Sequence, residues 1–159
     1  IFDHFGFDAV TLNPYMGEDS INPFLVHDDK GVFILCRTSN SSAHIFQNQK
    51  LNGGLFLYEK VAEWANSLNH KNNIGLVVGA TVPQELSRVR DLAPDLPILI
   101  PGVGAQGGDL EKSVYEGNKS GIGIINVSRD ISFSGDFTVE SIRSSAQSYV
   151  KKINEALND

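Results

Sequence analysis

Five short apolar runs rich in β-branched residues punctuate the chain: Asp8 to Leu12, Val32 to Cys36, Ile74 to Val78, Ile98 to Ile100 and Gly121 to Val127. Their starts lie 24, 42, 24 and 23 residues apart. Runs of this length, each ended by a polar or glycine-rich turn, read as buried strands. The gaps suit alternating β and α elements with parallel strands, because a parallel partner needs a crossover of a dozen or more residues. The gaps carry helical patterning. Leu57, Val61, Trp64, Ala65 and Leu68 make one apolar stripe, and Trp64 belongs to its packing. Thr81 with Pro83 and Gln84 predicts a capped helix start, and Pro94 its end; Asp109 predicts an N-cap and Gly117 a terminator. A last helix is expected over about Phe137 to Leu157. The longest gap holds Asn40 to Gly54, which reads as an ordered excursion or an active-site loop more than a linker.

Two architectures accept βα units of this size: an open doubly wound sheet, or part of a (β/α)8 TIM barrel. The chain has 159 residues, whereas such a barrel takes about 250. A barrel reading therefore makes the chain a single domain, 1–159, that supplies about five of the eight units.

Charge narrows the function. A formal charge of −6 leaves no global positive field for nucleic acid or an anionic membrane surface, so an anion must be held locally. No apolar stretch is long enough for a membrane span, and the lone Cys36 lies in an apolar run, as expected of a cytoplasmic chain and of buried packing. His4, His27, His44 and His70 lack metal-ligand spacing, so no metal is expected; Asp28, Asp29 and Lys30 read as a solvated loop, against the alternative of a cation site at Asp19, Asp28 and Asp29.

The segment Gly102-Val103-Gly104-Ala105-Gln106-Gly107 follows a strand and precedes a helix. Its G-x-G-x-x-G spacing admits a dinucleotide reading, an NAD-dependent oxidoreductase with Asp130 near the ribose position, or a non-catalytic nucleotide or phosphate-binding module. Against the dinucleotide, the block sits in the fourth visible unit, and Pro101 breaks the strand before it. In a barrel, the loops after the last two strands often hold phosphate through backbone N–H groups. Gly102 to Gly108 then supplies amides and the Gln106 side chain, and Arg129, after Ser128, offers a planar fork to phosphate oxygens.

The blocks DAVTLNPYMG (8–17), VFILCRTSN (32–40), IGLVVGAT (74–81), ILIPGVGAQGGD (98–109) and INVSRDI (125–131) together resemble the carboxy-terminal part of the orotidine 5′-phosphate decarboxylase family, in its longer-chain branch. They follow the order of that family's strands four to eight. The resemblance implies a TIM barrel that converts orotidine 5′-monophosphate to UMP and CO2 without metal or organic cofactor, and a homodimer whose sites each receive a carboxylate from the partner. It implies that Gln106 and Arg129 bind the 5′-phosphate with backbone N–H groups near Ser128. It places Ser39 at the pyrimidine's amide edge, and Pro101 and Val103 as an apolar wall by the reacting carboxylate. Asn13 lies at the rim without a role.

One departure stands out. The family's Asp-x-Lys-x-x-Asp segment, which supplies the proton-donating lysine, occurs nowhere in the 159 residues. Lys30, Lys60 and Lys112 lie in loop or helix contexts, so no catalytic residue is assigned to this chain.

Overall fold

A computed structural model describes residues 1–104 and 106–158. The elements in chain order are α1 (Phe2–Phe5), β1 (Ala9–Leu12), α2 (Glu18–Leu25), β2 (Gly31–Arg37), α3 (His44–Gln47), α4 (Leu57–Leu68), β3 (Ile74–Val78), α5 (Pro83–Leu92), β4 (Ile98–Pro101), α6 (Leu110–Asn118), β5 (Gly123–Asn126), α7 (Arg129–Ser132) and α8 (Val139–Asn158). All five expected strands form, with ends within two residues of the apolar runs. They make one sheet in the order β1-β2-β3-β4-β5, and every neighbouring pair is parallel.

That order decides between the two architectures. Each crossover between adjacent parallel strands is right-handed, so an unreversed order winds every helix onto the same face. A doubly wound sheet reverses its order and has helices on both faces. Here α4 packs on β2 and β3, and α6 on β4 and β5, with α5 between the two helices. The sheet is a continuous arc of a (β/α) barrel wall, and the chain forms part of a barrel.

Burial follows from this arrangement. Ile34, Leu76, Ile98 and Ile100 on the strands meet Ala62, Ala65, Leu86 and Val89 on the helices in one apolar layer. Alternate residues face the other way. The central β3, IGLVV, is buried along its whole length, as expected of a parallel strand covered on both sides. The outermost strands alternate between exposed and half-buried positions, and Ile124 on β5 is 40% exposed.

The amino-terminal edge of the sheet is held by a buried cation. Arg90 on α5 is 1% exposed and donates to the carbonyls of Leu96 (2.7 Å), Pro94 (3.0 Å) and Ile122 (3.1 Å), and also to those of Ala93 and Gly117. Burial holds its guanidinium below the usual arginine range, with only the Asp95 charge opposing. One side chain thus satisfies the backbone entering β4 and β5 and the end of α6.

Several local expectations are corrected. Val82, rather than Thr81, is the N-cap of α5; it has no side-chain cap, and Pro83 at the first helical position makes the missing donor harmless. Gly117 does not end α6, which continues to Asn118. Gly117 is buried there because Ile100 packs where its side chain would be. The last helix begins at Val139, since Phe137 adopts φ 63°, outside the helical region. Asp109 caps α6 as expected, its Oδ1 accepting from the Lys112 N–H at 3.0 Å. The Asn40 to Gly54 excursion is ordered around α3 and a bridge from Lys50 to Phe56. Trp64 packs against the core, and Cys36 is buried with its thiol donating to the Tyr58 carbonyl at 3.2 Å.

Candidate functional site at the carboxyl edge of the sheet

Parallel strands deliver all their carboxyl ends to one edge, where barrel enzymes place their sites. The segments leaving β2, β3, β4 and β5 are Thr38 to Asn40, Gly79 to Ala80, Gly102 to Gly108 and Val127 to Arg129. They are tied together by hydrogen bonds. The Gly79 N–H donates to the Arg37 carbonyl at 2.8 Å, and the Ala80 N–H to the Pro101 carbonyl at 2.8 Å.

Two site residues predicted from sequence meet directly. The Ser39 hydroxyl donates to Gln106 Oε1 at 2.6 Å, across 67 residues of sequence. Gly102, with φ 96°, lies beneath this pair: a Cβ there would sit 2.9 Å from Gln106 Oε1 and 3.4 Å from the Ser39 hydroxyl. The glycine block closes on itself, with the Gly107 N–H donating to the Gly104 carbonyl at 2.7 Å and the Gly108 N–H to the Gly102 carbonyl at 3.1 Å. Those two amides are engaged inside the turn. Ala105, within the block, lies outside the described residues. Val103 is 5% exposed, and Pro101 is the last residue of β4.

Arg129 is exposed at the start of α7, just beyond β5, the strand next to the one that leads into the glycine block, and Ser128 precedes it as the N-cap. The side chain from this strand end that touches the glycine turn is the neighbouring Asp130. Its carboxylate packs against Gly104 and accepts from the Tyr149 hydroxyl of α8 at 2.8 Å.

Geometry also bears on the dinucleotide reading. A dinucleotide's pyrophosphate sits at the N-terminus of the helix after the fingerprint. Here the Asp109 carboxylate occupies that end of α6. The Lys112 N–H, then the Lys112 side chain, hold its pKa below the ordinary carboxylate value. An acceptor already fills the position, and the unreversed sheet offers no crevice at a switch point.

Sequence reading missed Gln47. Its Oε1 accepts from the Thr38 N–H at 2.9 Å, and its Nε2 donates to the Thr38 hydroxyl at 2.8 Å, which in turn donates to Asn40 Oδ1 at 2.6 Å. Gln47 therefore holds Thr38 directly, and Asn40 is held through the Thr38 hydroxyl. Arg37, buried and ion-paired with Glu85 of α5, donates to the Thr38 carbonyl at 2.7 Å and anchors the same segment. A lone glutamine in a polar loop gives no periodic or motif signal, so only the tertiary fold reveals it.

The opposing carboxylates of the expected solvated group are engaged with lysines: Asp28 with Lys71, and Asp29 with Lys30 at 3.7 Å. Among the described residues no three His, Cys, Asp or Glu side chains gather to hold a metal ion, and no helix is long and apolar enough to cross a membrane.

This geometry has close relatives. The model of the orotidine 5′-phosphate decarboxylase / HUMPS family matches residues 1–143. The orotidine 5′-phosphate decarboxylase of Natronomonas pharaonis is 54% identical over 134 residues, covering 84% of this chain and 49% of that protein. Among solved structures, the OMP decarboxylase of Leishmania donovani superposes with a TM-score of 0.86 at 39% identity, covering 98% of this chain and 59% of its own. The Leishmania donovani UMP synthase superposes with a TM-score of 0.87 at 41% identity, covering 98% of this chain and 34% of its own. The chain spans about half the length of the curated relatives it matches. A family match along most of the sequence, carried by an arc of barrel wall with the same arrangement of strands, establishes that the chain belongs to the orotidine 5′-phosphate decarboxylase / HUMPS family.

Proposed function

We propose that this chain, a single domain over 1–159, carries the phosphate- and base-binding half of a lyase that decarboxylates orotidine 5′-monophosphate to UMP and CO2 in pyrimidine biosynthesis. The observation that carries the reading is the hydrogen bond between Ser39 and Gln106. It joins the loop assigned to the pyrimidine with the loop assigned to the phosphate, so both ends of one nucleotide are read by a connected unit. Gln106 and Arg129 bind the phosphate with main-chain groups at Ser128. Ser39 meets the pyrimidine amide edge, Pro101 and Val103 shape the wall by the carboxylate, and Gly102 opens the phosphate loop. The complete enzyme works as a cytoplasmic homodimer.

In this scheme the chain binds and orients. A cation must stabilise the charge that develops as CO2 leaves and then deliver a proton to the ring carbon. The Asp-x-Lys-x-x-Asp segment that does so in the family is not in this sequence. The purified chain accordingly binds UMP and has no turnover; decarboxylation at the rate of the complete enzyme would refute the reading. Calorimetric titration with UMP and with NAD separates it from the dinucleotide alternative, which requires NAD to bind instead. Arg129→Ala weakens UMP binding by about 1.5–3 kcal/mol, as for other hydrogen bonds to charged groups. Unchanged affinity removes Arg129 from the site.

A further inference from the structure

A carboxylate beside a turn assigned to an anion demands an explanation. Asp130 lies against Gly104, whose φ of 82° and missing side chain are both required: a Cβ there would collide with the Asp130 carboxylate and lie 2.7 Å from the Tyr149 hydroxyl. Tyr149 donates to Asp130 Oδ2, and Ser145, one helical turn earlier on α8, donates to the Asp130 carbonyl at 2.9 Å. Asp130 is thus gripped at both its side chain and its main chain by the last helix. The Tyr149 ring lines, with Val103, Gly104 and Asp109, a cleft of about 1290 Å³ between the turn and α8, and the Lys152 ammonium lies 5.6 Å from the ring centroid.

We propose that Asp130 and Tyr149 form a latch that fixes the glycine turn at Gly104 from behind, which makes both of them positioning residues for the anion held on the other side. The inference rests on the reading of that turn as the phosphate site. The carboxylate is accommodated because its charge faces a hydroxyl donor and glycine backbone, and helix α8 becomes a working part of the site. Shape at the turn, set by the latch, then determines where the turn's remaining donors aim.

Tyr149→Phe tests it, because the ring still packs and one hydroxyl is lost. UMP and uridine are titrated in parallel, and amide hydrogen exchange is followed at Gly107 and Gly108. The expected result is UMP binding weakened about tenfold, the loss typical of one charge-assisted hydrogen bond, with uridine unaffected. Exchange at Gly107 and Gly108 speeds up while Leu76 in β3 stays protected. Asp130→Asn gives a similar loss, and the double variant is no worse than either single, as for residues acting as one unit. UMP binding equal to wild type in Tyr149→Phe overturns the latch and leaves the phosphate site standing. Equal losses for UMP and uridine also overturn it, since they mark a general structural role. Failure of the wild-type chain to bind UMP overturns the nucleotide reading itself, and the positioning role with it.

Discussion

Gly79 at the end of β3 lies so close to Ser39 that a Cβ on it would fall 2.7 Å from the Ser39 Cβ and 2.8 Å from the Ser39 nitrogen. The glycine is what lets the loop after β2 lean over the end of β3 and bring its hydroxyl to Gln106. Gly79→Ala must push the Ser39 backbone aside, and the neighbour being main chain leaves no cheap relief. We expect UMP affinity to fall at least about tenfold, with an overpacking cost of about 1–3 kcal/mol in stability. Titration calorimetry and urea denaturation on the same preparation check both halves.

Gln47 supports the same loop from outside. Gln47→Ala frees the Thr38 N–H and removes the donor to its hydroxyl, so the segment before Ser39 is held only through the Thr38 carbonyl by Arg37. The expected stability loss is about 2–3 kcal/mol for three part-buried hydrogen bonds, the third from Arg37 to Gln47 Oε1 at 3.3 Å, with UMP binding weakened alongside. Gln47→Glu keeps the acceptor for Thr38 N–H but cannot donate to the hydroxyl, and should fall between the two. A UMP affinity that does not move in either variant would disconnect the excursion from the site.

At the opposite edge, Arg90→Met removes the cation and keeps comparable apolar length. Carbonyls of Leu96 and Gly117 lose this donor in a buried setting, whereas that of Ile122 still accepts from the Ile98 N–H at 2.8 Å. Each unpaired buried group costs about 1–3 kcal/mol, so a total loss of about 3 kcal/mol or more is expected in the denaturation midpoint. Nucleotide affinity of the folded fraction should be unchanged, because the clasp lies at the amino-terminal edge.

Acid stability has a local contributor at Glu59. Burial pushes its carboxyl upward, but the Arg88 side chain, with its Nε at 2.6 Å, and the Phe56 N–H outweigh this and hold it below the usual glutamate range. A group depressed in the folded state stabilises above its unfolded pKa, and loses that contribution as pH falls through the folded value. Wild type should therefore lose stability relative to Glu59→Gln below about pH 4.3, the ordinary glutamate value. Parallel denaturation curves from pH 7 to pH 3 test the sign. A gap between the two proteins that stays constant over that range would exclude the carboxylate as its source.

The strand count, the parallel arrangement and the boundaries of β3 could be read directly from periodicity, because buried parallel strands are short unbroken apolar runs and IGLVV is one. The phosphate-loop candidates were legible for a related reason: glycines at that spacing and an arginine after the next strand are local chemistry. Caps were less so. Thr81 satisfies a capping rule that the backbone does not use, and Gly117 satisfies a terminator rule that packing against Ile100 overrides.

Tertiary structure alone decided the rest. Whether five βα units wind one way or reverse depends on which strands pair, and pairing is non-local, so the order β1 to β5 had to be seen before the open-sheet reading could be set aside. The same holds for Asp130 and Tyr149, which meet Gly104 from the next strand end and the last helix, and for Gln47, which reaches Thr38 from a polar loop without a motif. Periodicity reports what each segment buries, whereas a site is made by side chains from separate strand ends meeting at one edge, and that meeting is fixed only when the sheet closes its register.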